Sequence, residues 1–154
     1  YWKAFGSEYA RLMRAKLGLR TEQADDGVLL RDLLTLLQAD RADFTGFFRR
    51  LSSLATLGRS EAWSAWSARY TTRLSTEGTD AGERGRVMAT VNPKFVLRNW
   101  IAQEAIERAE AGDFKLIEEL RLLFSTPFEE HPGMERFAEP PGPGARHLEV
   151  SCSS

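Results

Sequence analysis

Val91-Asn92-Pro93-Lys94-Phe95-Val96-Leu97-Arg98-Asn99-Trp100-Ile101-Ala102 is the stretch that decides the fold. Asparagine is a good helix N-cap, and proline fits the first helical position, where a missing N–H costs nothing. The pair predicts a helix carrying Val96, Leu97, Trp100, Ile101, Ala105, Ile106 and Ala109 on its apolar side. Gly112 stops it. Asp113 then caps a further helix through Phe114, Ile117, Leu120, Leu123 and Phe124, which ends before Pro127. So short a connection predicts that the two helices are antiparallel neighbours.

Toward the N-terminus the same punctuation recurs. Ser7 is placed to cap a helix to Leu17, with an apolar stripe of Tyr9, Leu12, Met13 and Leu17 and a stop at Gly18. A second helix runs from Asp25 or Asp26 to about Ala39. Its six leucines, Leu29, Leu30, Leu33, Leu34, Leu36 and Leu37, predict contact from more than one side. Asp43 caps a third helix, through Phe44, Phe47, Phe48, Leu51 and Leu54. A fourth begins after Ser60, with Trp63, Trp66, Tyr70 and Leu74 on one face and an end at Gly78. The small and polar segment from Thr76 to Gly85 reads as a linker or mobile loop. Beyond Pro127, Phe128, Met134 and Phe137 are expected to pin a short turn or helix to the core. No run alternates well enough to predict a strand. The reading is an all-α protein of about seven helices over residues 1–138, with an irregular Pro/Gly-rich tail over residues 139–154.

At 154 residues the chain has the length of one domain. A net charge of −1 gives no surplus of cations for nucleic acid, and no apolar run approaches the ~20 residues of a membrane span. The expected partners therefore include neither nucleic acid nor membrane. A single cysteine argues against a disulfide-stapled secreted fold. The chain starts at Tyr1, not at methionine, which reads as a piece of a longer protein.

No complete catalytic centre emerges from the residue pattern. Gly142-Pro143-Gly144 and Gly82 with Gly85 do not follow a predicted strand and open a helix, as a phosphate cradle requires. Glu129-Glu130-His131 holds one of only two histidines, the other being His147; with no i, i+4 pair, a zinc site is not expected. Trp63, Trp66 and Tyr70 at helical spacing read as core more than as a ligand pocket. Arg98 could clamp a carboxylate or a phosphate, but reads more as a partner in a structural ion pair with a neighbouring helix. No catalytic, cofactor-binding or metal residue is assigned. Cys152, tethered behind Pro140-Pro141-Gly142-Pro143-Gly144, has no second cysteine in the chain. Its thiol is either a bystander or the partner of a thiol elsewhere.

Four segments in series carry a resemblance: Met88 to Gln103, Ala109 to Phe114, Pro127 to Gly133, and Val150 to Ser154. Met13 to Leu19 and Ala42 to Thr45, with Phe48 and Arg49, fit the same pattern. Together they resemble the C-terminal part of the selenoprotein O family, also known as the YdiU family. The resemblance implies the helical C-terminal region of a protein adenylyltransferase with a protein-kinase-like fold. Such an enzyme transfers AMP from ATP to serine, threonine or tyrosine of proteins, using magnesium. It also implies that nucleotide and metal lie in an N-terminal kinase-like core, so neither ATP nor magnesium is expected on these residues alone. That core and the enzyme's protein substrates are the implied partners, and the cytoplasm the implied location if the source is bacterial. Cys152 matches the family's terminal selenocysteine or cysteine position, which implies a redox pairing with a cysteine of the core. The alternative is a non-enzymatic helical domain that binds a partner helix or a small apolar ligand.

Overall fold

The computed structural model describes residues 2–56 and 60–142, with side chains from residue 5 onward except those of residues 54–56. Seven α-helices and two short 3-10 turns make up the regular structure, and no strand occurs among the described residues. The all-α reading therefore holds. The chain divides into two units, residues 1–92 and 93–154.

The first unit contains α1 (Trp2–Lys16), α2 (Asp26–Ala39), α3 (Phe44–Arg50), α4 (Glu61–Ser75) and α5 (Ala81–Val91). A 3-10 stretch, Leu51–Thr56, follows α3. Caps set several of the boundaries. The Asp43 carboxylate accepts from the Gly46 amide at 3.0 Å, and the Ser60 hydroxyl accepts from Trp63 at 3.3 Å. The C-terminal stops after α1 and α4 are glycines with positive φ, Gly18 at 72° and Gly78 at 62°.

The core of this unit is built on α2 and α4. Leu29, Leu33 and Leu37 of α2 are buried, while Leu30, Leu34 and Leu36 are partly covered, as a helix touched by both α1 and α4 requires. Trp63, Trp66, Tyr70 and Leu74 form the buried face of α4. Phe47, Trp63, Trp66 and Tyr70 make a continuous aromatic series with centroids 4.9–6.1 Å apart.

Three boundaries of this unit differ from expectation, the first being the helix expected to reach Leu54, which ends at Arg50 where the chain tightens into the 3-10 stretch. Ser7 lies inside α1 and is not its cap, and Tyr9 and Leu12 face solvent while Met13 and Leu17 are buried. The segment from Thr76 to Gly85 is not all loop. Asp80 accepts from the amides of Gly82 at 2.9 Å and Glu83 at 3.1 Å and so starts α5. The chain divides after Asn92, not at this segment.

The second unit contains α6 (Asn99–Glu110), α7 (Lys115–Ser125) and a 3-10 turn, Glu135–Ala138. Phe95, Ile101, Ala105, Leu116, Leu120, Leu123 and Phe137 form its core. Gly112, at φ 83°, ends α6, and the Asp113 carboxylate accepts from the Lys115 amide at 3.1 Å. Phe137 is buried as expected, whereas Phe128 is largely exposed. The helix foreseen from Pro93 begins six residues later. Residues 93–98 are irregular because the amides of Lys94 and Phe95 donate to the Pro127 carbonyl, at 2.9 and 3.1 Å.

Candidate functional site

Asn92 is the most connected residue of the decisive stretch. It is the C-cap of α5 and is buried, at 1% exposure. Its side-chain amide donates to the Lys16 carbonyl at 2.9 Å, and its Oδ1 accepts from Lys16 Nζ at 3.3 Å. Lys16 also donates to the Val91 carbonyl, and its ammonium lies 5.5 Å from the centre of the Phe48 ring. Burial pulls the Lys16 ammonium below the ordinary lysine range. Arg49 reaches the same helix end, donating to the carbonyls of Ala89 and Asn92 at 2.9 and 3.0 Å. Three side chains thus satisfy carbonyls at the ends of α1 and α5, where the helices leave them unpaired. This node is structural.

A second node is charged. Arg73 on α4 bonds Asp26 at 2.6 Å and Glu77 at 2.5 Å, and donates to the Thr21 carbonyl at 2.8 Å. The Asp26 bond, chiefly, raises the Arg73 pKa. Burial alone would raise the Glu77 pKa. The hydrogen bonds it accepts from Thr21, Arg73 and the Arg20 amide outweigh that and hold it below the usual carboxylate range. Nothing in the sequence pattern marked this network, because its bonds join residues 47 to 57 positions apart except for the pair Arg73 and Glu77.

The residues tested for chemistry fall into structural roles. Trp66 donates to the Leu29 carbonyl at 2.9 Å, and Tyr70 to the Leu17 carbonyl at 2.7 Å, both inside the core. Trp63 donates to Asp40 at 2.6 Å. Gly82 and Gly85 lie in the first turns of α5, but the Asp80 carboxylate already occupies that helix N-terminus, so no phosphate cradle forms there. His131 Nε2 lies 2.9 Å from Thr126 Oγ1, and its ring meets Phe95 edge-on at 5.5 Å. Glu130 pairs with Lys94. Arg98, expected in an ion pair with a neighbouring helix, donates to the Ala138 carbonyl of the 3-10 turn at 3.2 Å. Cys152, His147, Pro143 and Gly144 lie outside the described residues.

What the described residues assemble is helical scaffolding held by buried polar nodes, with no group of three or more His, Cys, Asp or Glu placed to hold a metal ion. No described helix is long and apolar enough to cross a membrane. The chain belongs to the SelO family, whose model, protein adenylyltransferase SelO, matches residues 1–124. It is 44% identical over 166 residues to protein nucleotidyltransferase YdiU of Myxococcus xanthus (strain DK1622), covering 100% of this chain and 34% of that protein. Identity to protein nucleotidyltransferase YdiU of Pseudomonas fluorescens (strain Pf0-1) is 42%, over 100% of this chain and 34% of that protein. With the Vibrio cholerae YdiU it is 41%, over 100% and 35%. The chain spans about a third of the length of these relatives.

The family name implies a nucleotide, and with it a divalent metal. Asp26, Glu77 and Asp80 are committed to Arg73 and to main-chain amides. No step of nucleotide chemistry is assigned to them.

Proposed function

We propose that this chain is the helical C-terminal portion of a SelO-type protein adenylyltransferase, which transfers AMP from ATP to serine, threonine or tyrosine side chains. Its work in that enzyme is mechanical and regulatory. It packs against a kinase-like core that holds ATP and magnesium, and it presents Cys152 to a cysteine of that core. If the source is bacterial the setting is the cytoplasm, and neither nucleic acid nor membrane takes part.

One observation carries this reading: a match to the adenylyltransferase family over residues 1–124 by a chain one third as long as its relatives. The surface supports it. On the second unit Leu97, Phe114 and Leu122 are 58–62% exposed, and a groove of about 510 Å³ is lined by Leu97, Ala105, Ile117, Leu120 and Phe124. Apolar surface of this kind is what a supporting domain covers with its neighbour.

The test uses the full-length polypeptide and ATP labelled in its α-phosphate. Label is expected on protein hydroxyls, at a rate that differs between reduced and oxidised enzyme, and Cys152→Ser is expected to abolish that difference. Absence of label, or a redox response unchanged in Cys152→Ser, would contradict the corresponding half of the proposal.

A further inference from the structure

We propose that a cleft beside the C-terminal half of α1 binds a small phosphate-bearing anion. The cleft has a volume of about 490 Å³ and lies between α1, the loop that follows it and the start of α5. That size falls within the ~300–1,000 Å³ of small-molecule sites. Four arginines line it, Arg11, Arg14, Arg20 and Arg84, against one acid, Glu22.

The arginines are held but not spent. Arg11 pairs with Glu8 at 2.6 Å, Arg14 with Glu22 at 3.0 Å and Arg20 with Glu83 at 3.4 Å; Arg84 donates to the Thr79 carbonyl at 3.4 Å. Each guanidinium carries five N–H donors, and these bonds occupy one or two. The three acids are about half exposed or more, so water competes with them for the arginines and salt screens the pairs. A multivalent anion displaces them at little cost.

Gly18 shows how the cleft is built. Its φ is +72°, and a Cβ there would stand 2.8 Å from the Met88 sulfur and 2.9 Å from Arg84 Cγ. The missing side chain lets the Arg84 stem lie across the end of α1 and brings its guanidinium to the cleft wall. Ala15, Leu19 and Val87 supply apolar lining, beside which charge-assisted hydrogen bonds strengthen.

The chemistry favours phosphate over carboxylate. One guanidinium fork satisfies a carboxylate, whereas several around one recess match the charge and oxygens of a phosphate or polyphosphate. Recognition by arginine needs no metal.

The experiment titrates the full-length polypeptide with inorganic tripolyphosphate in metal-free buffer, by calorimetry. A binding event that weakens with added salt is expected. The double variant Arg14→Gln with Arg84→Gln should weaken it about tenfold or more. Val87→Asp should weaken it comparably by placing a negative charge on the wall, with all four arginines intact and a side chain that is already 46% exposed. Arg69→Gln removes an arginine that pairs with Asp32 elsewhere and should leave the event unchanged. An isotherm identical in wild type and Val87→Asp would overturn the proposal. So would binding to vesicles bearing phosphoinositide headgroups without binding to soluble tripolyphosphate.

Discussion

Asn92 and Lys16 hold each other twice, the amide of Asn92 donating to the Lys16 carbonyl at 2.9 Å and the ammonium of Lys16 donating to Asn92 Oδ1 at 3.3 Å. The residues are 76 positions apart, so this exchange ties the end of α1 to the end of α5. Removing one partner leaves a buried carbonyl unsatisfied, at about 1–3 kcal/mol. Asn92→Ala should therefore destabilise residues 1–154 by about that amount in urea unfolding, with no change in the denaturant slope. A loss below about 0.5 kcal/mol would show that water replaces the side chain without penalty.

Tyr70 gives an alkaline signature. Its hydroxyl is buried against the Leu17 carbonyl, and desolvation pushes its pKa well above the ordinary value of 10.0. The folded chain thus holds this proton after an unfolded chain has released it. Stability is intact below about pH 10 and falls as pH rises beyond it. Tyr70→Phe should lower stability at neutral pH by about 1 kcal/mol and flatten the alkaline decline. Unfolding midpoints from pH 8 to the alkaline limit check both.

Glu77 gives the opposite limb. Its pKa lies below the ordinary 4.5, so its contribution is present above that pH and is lost as pH falls through the folded value. Glu77→Gln should reduce stability at pH 7 and make the acid limb shallower. An acid limb unchanged in Glu77→Gln would mean that the carboxylate titrates alike in both states.

The helices were legible where side chains act locally. Asp43 and Ser60 cap the helices they precede, Gly18, Gly78 and Gly112 take the positive φ that ends a helix, and Trp63, Trp66 and Tyr70 share a buried face. Legibility failed where distant groups outbid local preference. Asn92-Pro93 has the composition of a helix start, yet Lys16 draws the Asn92 side chain into the core and Pro127 takes the next two amides. Gly82 and Gly85 made α5 read as loop, and the doubly bonded Asp80 offsets their poor helix propensity. The arginine cleft and the Arg73 node were invisible because their members come from separate helices and loops. Cys152, the one candidate site residue the sequence singled out, lies outside the described residues.

The exposed apolar surface of the second unit separates supporting domain from free-standing protein. Leu97 is 62% exposed, so Leu97→Asp should change the stability of residues 1–154 by less than about 0.5 kcal/mol. In the full-length polypeptide the same change should lower the thermal midpoint if, as proposed, the residue meets the kinase-like core there. Equal behaviour in both settings would indicate that this surface stays open to water.

The most direct measurement incubates residues 1–154 alone with α-labelled ATP, magnesium and a protein acceptor, beside the full-length polypeptide. The account predicts label transfer by the long form and none by the short one. Protein-bound AMP produced by residues 1–154 alone would contradict it.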